Sequence, residues 1–134
     1  MAMQYSVSVN NARLDAVEST TGATAVLKIF SGSQPANCAA ADPAGALVSI
    51  TLPSDWMNAA SSASKTKLGT WSASASGSGT AASFRIYEST ATTCHIQGSV
   101  TATGGGGDLT LDNASISSGQ TVTIGTFTLN AANT

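Results

Sequence analysis

The sequence predicts an all-β fold, an antiparallel β-sandwich or jelly roll of about seven or eight strands with one short N-terminal helix. Short segments alternate between apolar and polar residues, and clusters of Gly, Pro, Asn and Ser separate them. The sequence has no second amphipathic helix, which excludes parallel β-α-β winding because that winding needs crossover helices. A length of 134 residues suits one domain.

A helix is predicted over residues 8–18. Ser6 or Ser8 is the candidate N-cap, and Gly22 is the candidate terminating residue. Four residues share one face of this helix: Val7, Asn10, Leu14 and Val17. A helix of two or three turns is marginal in isolation. It must therefore dock, either over one end of the sheet structure or on a neighbouring subunit.

We predict residues 1–24 as a helical arm and residues 25–134 as the β-domain. Seven segments of the second part have the pattern of strands: residues 25–30, 47–52, 69–76, 83–88, 94–101, 109–112 and 121–130. In the fourth segment Phe84 and Ile86 oppose Arg85 and Tyr87, and in the fifth Cys94, Ile96 and Val100 oppose His95, Gln97 and Ser99. Both are expected to be half-buried.

The last segment changes its inward face. Val122 and Ile124 occupy even positions, whereas Phe127 and Leu129 occupy odd positions. A β-bulge near Gly125 would produce this change.

Two long connections separate the strands, residues 31–45 and residues 54–67. Loops of this length usually make contacts of their own. Trp56 and Met57 lie in the second connection, where Trp56 either fills the core or anchors a partner, since Trp is enriched at interface hot spots. The candidate interface residues are Leu14, Val17, Trp56 and Met57.

The composition limits the classes of partner. Charged residues make up 9% of the chain and the net charge is -2, so little electrostatic repulsion keeps copies apart, which favours an assembly subunit. The five basic residues do not cluster, which argues against nucleic acid. The start, MAMQYSVSV, is not a signal peptide, and no segment resembles a membrane span, so we expect synthesis in the cytoplasm.

Few residues are suited to catalysis or to metal binding. His95 is the only histidine, no G-x-S-x-G motif is present, and the acidic residues are scattered. Asp108, Asp112 and Asn113 lack the spacing of a calcium loop and are interpreted as solvated turn residues. Residues 104–107, four glycines, are interpreted as a mobile hairpin tip. We therefore predict no catalytic, cofactor-binding or metal-binding residues, no cofactor and no enzymatic activity.

Cys38 and Cys94 are too far apart in sequence for a metal knuckle. They are either two buried thiols or a disulfide between the first long connection and a strand. Synthesis in the cytoplasm opposes early oxidation, whereas oxidising surroundings would permit the bond later.

The chain resembles a family of small virion proteins of tailed bacteriophages over most of its length. Four segments carry the resemblance: NNARLDAVE (10–18), AVLKIFSGSQPANCAAAD (25–42), ITLPSDWM (50–57) and FRIYESTATTCHIQGSVTATGGGGDLTLDN (84–113). The resemblance implies a component of the virus particle, made in the host bacterial cytoplasm and located in the virion. Capsid decoration or cement proteins are the best match to a lone, charge-poor β-domain.

A protein of this kind would bind the outer surface of the major capsid protein lattice, and copies of itself as a homo-oligomer, and so stabilise the head. Two alternatives remain open at this point. One is a structural component of the tail, neck or fibre. The other is a carbohydrate or host-surface binding module that uses Trp56, Trp71 and Tyr87 as stacking surfaces.

Overall fold

The computed structural model describes residues 3–131 and is mostly β-structure with one helix. The helix is α1 (Val7–Thr21). The strands are β1 (Val26–Phe30), β2 (Ala46–Thr51), β3 (Ser64–Thr66), β4 (Trp71–Ser74), β5 (Gly79–Thr80), β6 (Ser83–Tyr87), β7 (Cys94–Ala102), β8 (Leu109–Leu111), β9 (Ser115–Ile116), β10 (Thr121–Ile124) and β11 (Thr128–Asn130). All seven predicted segments contain a strand, and three short strands, β3, β5 and β9, were not predicted.

Five strands form the main sheet in the order β2-β1-β6-β7-β8. The other strands form three pairs, β4 with β10, β3 with β11 and β5 with β9. Strand β6 is central and all five of its residues are buried, so it is covered on both faces. The prediction of a half-buried strand is therefore wrong for β6, because the connection of residues 31–45 covers its second face.

Aromatic rings connect the main sheet to the strand pairs. Trp71 of β4 packs 6.1 Å from Trp56 and 5.5 Å from Phe127, measured between ring centroids. Phe127 meets Phe84 of β6 edge-on at 5.7 Å. Each such pair adds about 0.5–1.5 kcal/mol beyond the burial of its area. The buried Trp71 Nε1 donates to Leu68 O at 3.1 Å, so its polar atom is satisfied.

Helix α1 is longer than the predicted residues 8–18. Ser6 is its N-cap, since the Ser6 hydroxyl accepts from Val9 N at 3.2 Å. Gly22 ends it with φ +93°, a conformation that favours glycine, and donates its N–H to Glu18 O at 2.8 Å. The candidate cap Ser6 and the candidate terminating residue Gly22 are thus confirmed.

The predicted last strand is two strands. β10 ends at Ile124 and pairs with β4, whereas β11 begins at Thr128 and pairs with β3. The change of the inward face is confirmed, because Val122, Ile124 and Phe127 are all buried. The predicted bulge is wrong, because the chain leaves one partner strand for another at residues 125–127.

A six-residue connection joins two parallel strands. Six of the seven strand pairings in residues 3–131 are antiparallel, but β8 runs parallel to the end of β7 and begins only after residues 103–108. Parallel neighbours ordinarily need a connection of about a dozen residues or more. Gly104 and Gly106 adopt φ of +89° and +82°, which lets the chain reverse this sharply. Residues 104–107 are therefore a crossover, and their interpretation as a hairpin tip is wrong.

The crossover predicts that Gly107→Ala destabilises the protein. A Cβ at this position would lie 2.8 Å from Thr101 N and 3.1 Å from Leu109 O, two backbone atoms that cannot move independently. We expect a loss of about 1–3 kcal/mol in the free energy of unfolding, measured by urea titration. Gly125→Ala is the matched control, since a Cβ there meets nothing within 4 Å. Equal stability of the two variants would contradict the prediction.

Candidate functional site

The first long connection lies over the outer face of the main sheet because Arg85 holds it there. Arg85 is 2% exposed. Its guanidinium donates to Ala40 O at 2.9 Å and to Asn37 O at 3.0 Å, both in the connection. It also donates to Asp42 Oδ1 at 3.1 Å and to Gln97 Oε1 of β7 at 3.0 Å. Hydrogen bonds to a charged donor are stronger than neutral ones, so this single side chain binds the connection to β6 and β7.

Tyr87 strengthens the same attachment. Its hydroxyl donates to Asp42 Oδ1 at 2.5 Å. Burial raises the pKa of Tyr87, and the hydrogen bond to Asp42 and the negative charge of that carboxylate raise it further. The phenol therefore stays protonated and keeps donating at any physiological pH. Lys28 also lies over the Tyr87 ring, with Nζ 5.0 Å from the ring centroid.

The two cysteines meet on this outer face. The pairing of β6 and β7 is irregular between Ile86 and Tyr87, which places Cys94 opposite Tyr87. The Cys94 Sγ lies 2.6 Å from the Cys38 Sγ in the covering connection. The alternation predicted that Cys94 lies on the face of Ile96. Cys94 instead lies on the face of Tyr87. An open cavity of about 390 Å³ is lined by both thiols together with Arg85, Tyr87 and Asp42.

The Cys94 thiol is poorly suited to act as a nucleophile. Burial raises the pKa of Cys94 to about 12, and the hydrogen bond to Cys38 adds to this effect. A thiol with such a pKa is almost wholly protonated at neutral pH, and only the thiolate attacks efficiently. The cavity therefore favours a structural role for the pair over a catalytic one.

Lys65 holds the second long connection against α1. This side chain is 2% exposed, and its Nζ lies 2.8 Å from Asp15 Oδ1 and 3.0 Å from Glu18 Oε2. Burial alone would lower the pKa of Lys65, but the hydrogen bonds to both carboxylates outweigh it and raise the pKa. The hydrogen bond from Lys65, helped by that from Ala60 N, lowers the pKa of Asp15. Glu18 also accepts from Met57 N at 3.1 Å.

Three of the four predicted interface residues are inside the chain. Leu14, Trp56 and Met57 are buried, and Trp56 is 0% exposed with its Nε1 donating to Gly22 O at 3.0 Å. Val17 is half-buried and lines a groove with His95. This placement corrects the interface prediction for Leu14, Trp56 and Met57, because α1 docks on its own chain through these residues.

The rings proposed to stack on carbohydrate are buried as well. Trp56 and Trp71 are 0% exposed and Tyr87 is 2% exposed. A sugar-binding ring must present its face to solvent. The arrangement therefore counts against a carbohydrate site built on these three side chains.

Glu88 and Asp108 accept hydrogen bonds from residues near them in the sequence. Glu88 accepts hydrogen bonds from the hydroxyls of Thr90 and Thr92 and from the N–H groups of Thr92 and Thr93. His95 Nε2 lies 3.6 Å from Glu88 Oε2. Asp108 accepts from Ser99 N at 3.0 Å. Within residues 3–131, His, Cys, Asp and Glu form no group of three or more that could hold a metal ion.

Comparison of the chain with models of protein families, with curated proteins and with solved structures finds no match. The helix in residues 3–131 is not long and apolar enough to cross a membrane.

Lys65 and Arg85 were missed by the sequence analysis, although they organise both long connections. One feature of the sequence pointed to Arg85. It stands between the apolar residues Phe84 and Ile86 and is followed by Tyr87, a pattern that fits a central strand covered on both faces. For Lys65 the sequence carried no comparable signal, since its partners Asp15 and Glu18 are about fifty residues away.

We predict that Cys38 and Cys94 form a disulfide when the protein is exposed to oxidised glutathione. The sulfur–sulfur bond of one oxidised glutathione breaks and one bond forms between the protein sulfurs, and the two thiol hydrogens end on the two molecules of reduced glutathione that are released. The residues are 56 apart in sequence. A loop of this size gives about 4 kcal/mol of stabilisation in the chain-entropy model. Intact mass and urea unfolding with and without reductant measure the bond and its effect.

Cys94→Ala is the control, and oxidant should leave its unfolding midpoint unchanged. The prediction fails if both thiols of the wild-type protein remain titratable after prolonged incubation with the oxidant.

The Glu88 turn predicts acid sensitivity. The hydrogen bond from Thr92 N, followed by that from the Thr90 hydroxyl, lowers the pKa of Glu88 from 4.5 to about 2. Because the folded state binds this proton less readily than the unfolded chain, the contribution of Glu88 to stability is complete above pH about 4.5 and is lost as the pH falls towards 2. Unfolding midpoints measured across this range should fall more steeply for wild type than for Glu88→Gln. Parallel curves for the two proteins would refute this assignment.

Proposed function

We propose that the chain is a structural protein of the virion of a tailed bacteriophage, a capsid decoration or cement protein. In this role it binds the outer surface of the major capsid protein lattice and stabilises the head. A resemblance to small virion proteins supports the proposal that the chain is part of the virus particle. Segments 10–18, 25–42, 50–57 and 84–113 carry that resemblance. The distribution of charge supports the structural role.

One observation carries the proposal: every basic side chain of the chain is engaged with its own residues. Lys65 and Arg85 are buried. Arg13 donates to Asn10 Oδ1 at 2.8 Å, Lys28 lies over Tyr87, and Lys67 donates to Gly69 O at 2.6 Å. Five of the seven acidic residues likewise accept hydrogen bonds from the chain itself: Asp15, Glu18, Asp42, Glu88 and Asp108.

The remaining surface is therefore made mainly of hydroxyl, methyl and backbone groups. Such a surface suits association with other proteins over large, mostly neutral contacts, and it offers no concentrated charge to nucleic acid. Binding the assembled lattice better than its free subunits shifts the equilibrium towards the intact shell, and no covalent bond is made or broken.

We further propose a jelly-roll-like sandwich as the architecture. In this arrangement the main sheet is one layer, and the pairs β4 with β10 and β3 with β11 belong to the other. The ring contacts support this packing, since Phe84 belongs to the main sheet, Trp71 to β4, and Phe127 to the link between β10 and β11. Two-layer β-domains of this kind present broad faces to a lattice.

Quantitative mass spectrometry of purified virions tests the decoration role. A protein that covers a capsid lattice occurs in on the order of hundreds of copies, because the shell repeats its binding site by symmetry. A count of about a dozen or fewer, in multiples of three or six, would instead indicate the tail or neck. Attachment to heads should also change little with salt, because the charges are engaged internally. Release by moderate salt would contradict this mode of binding.

A further inference from the structure

The N-terminal segment of the chain has the pattern of a strand, although it is not part of a sheet. In residues 3–9, MQYSVSV, apolar Met3, Tyr5, Val7 and Val9 alternate with polar residues. Among the residues that the structure describes, five large apolar side chains are exposed, and these are four of them, with exposed fractions from 37% to 76%. Strict alternation places all four on one face of an extended strand, whereas a helix spreads them around its circumference.

The first turn of α1 is weakly held. It begins with Val7 and includes Val9, and β-branched residues have low helix propensity. The turn contains no acidic residue that would interact favourably with the helix N-terminus. Ser8 can replace Ser6 as N-cap if the helix starts two residues later. The segment can therefore extend through Val7 at a modest cost in free energy.

The same chain presents a groove between two open strand edges. A cavity of about 460 Å³ lies between β7 and β11, with apolar walls from Phe84, Ile96, Phe127 and Leu129. Within residues 3–131, β11 pairs only with β3, and β7 pairs with β8 only at residues 100–102. Both strands thus have an edge without a neighbouring strand along this groove.

The backbone directions show which groups these edges offer. Val100 N donates to Ala82 O towards β6, whereas Ser99 N donates to Asp108 Oδ2 on the opposite side. Since successive backbone groups of a strand point to opposite edges, those of Gln97 point away from β6 as well. On β11, Phe127 O accepts from Lys67 N on the β3 side, so Thr128 points its backbone groups into the groove.

We propose that the N-terminal segment of one copy of this chain, residues 3–7, adds as a strand in the groove between β7 and β11 of a second copy. The segment supplies alternating apolar side chains for the apolar walls and backbone groups for the open edges, which is the physics of β-strand addition. The segment carries no charged residue, and the carboxylate that lines the groove, Asp108, already accepts hydrogen bonds from Ser99 N and Oγ. In the single chain Tyr5 of the segment lies against Arg13, and no residue of the segment lines the groove, so a second copy is the occupant that brings the two together. This pairing does not depend on the virion role.

Self-association of the purified full-length chain tests the pairing. Sedimentation velocity over a range of concentrations should show association of the wild type. The double variant Met3→Glu/Tyr5→Glu should associate about tenfold more weakly or less, because it places charges on the inserted face. Gln4→Glu is the control for the position of the charge: it adds one negative charge on the opposite face, where the double variant adds two on the inserted face, and it should associate like the wild type. Unchanged circular dichroism and unfolding midpoint confirm that the double variant folds.

The groove is tested from the acceptor side. Thr128→Pro removes an N–H that points into the groove and that β3 does not use, and it should weaken association as the double variant does. In hydrogen exchange, the amides of Gln97 and Thr128 should become protected only as the wild type associates. A wild type that stays monomeric, or association that survives both variants, overturns the proposal. Protection of these amides in a monomer would show pairing within one chain and would overturn it too.

Discussion

Two buried cations determine how the two long connections of this chain pack against the rest of the fold. Arg85 binds residues 31–45 to the main sheet, and Lys65 binds α1 to the connection that contains Trp56. A buried charge without partners is strongly unfavourable, so each cation requires acceptors close to it. Because these acceptors are backbone carbonyls and carboxylates of distant segments, satisfying the charge also fixes the position of each long connection. The aromatic packing of Trp56 depends on that position.

The type of each longer element, helix or strand, was predictable from the sequence. The strand with which each strand pairs was not. Alternation identified all seven longer strand segments, and Ser6 and Gly22 marked the ends of the helix, because these are local properties of the chain. The division of residues 121–130 between β4 and β3 was not predictable, since it depends on which distant strands have open edges. The short strands β3, β5 and β9 have too few residues for a periodicity to be recognised.

At the candidate site, too, contacts between distant segments were not predictable from the sequence. The sequence left two alternatives for Cys38 and Cys94, separate buried thiols or a disulfide, and the irregular register at Ile86 and Tyr87 is what brings Cys94 to the face of Cys38. Strict alternation would have placed that thiol among the inward apolar residues. For Trp56 the sequence left two roles open, filling the core or anchoring a partner, and its complete burial, with Nε1 donating to Gly22 O, places it in the core. Such decisions depend on long-range geometry, which a single sequence does not display.

The internal use of charge has a consequence for the sheet edges. Proteins commonly protect an open edge with lysine, proline or an inward-pointing charge, which discourages pairing with other chains. This chain has its lysines engaged elsewhere, and the open part of β7 carries Gln97 and Gly98. The groove-facing strand β11 carries Thr128, Leu129 and Asn130, which are also uncharged. The Asp108 carboxylate covers the edge of β7 at Ser99, whereas the edges at Gln97 and along β11 carry no such charge. These parts of the two edges are suited to a neutral strand, and the N-terminal segment is a neutral alternating segment whose apolar side chains are exposed.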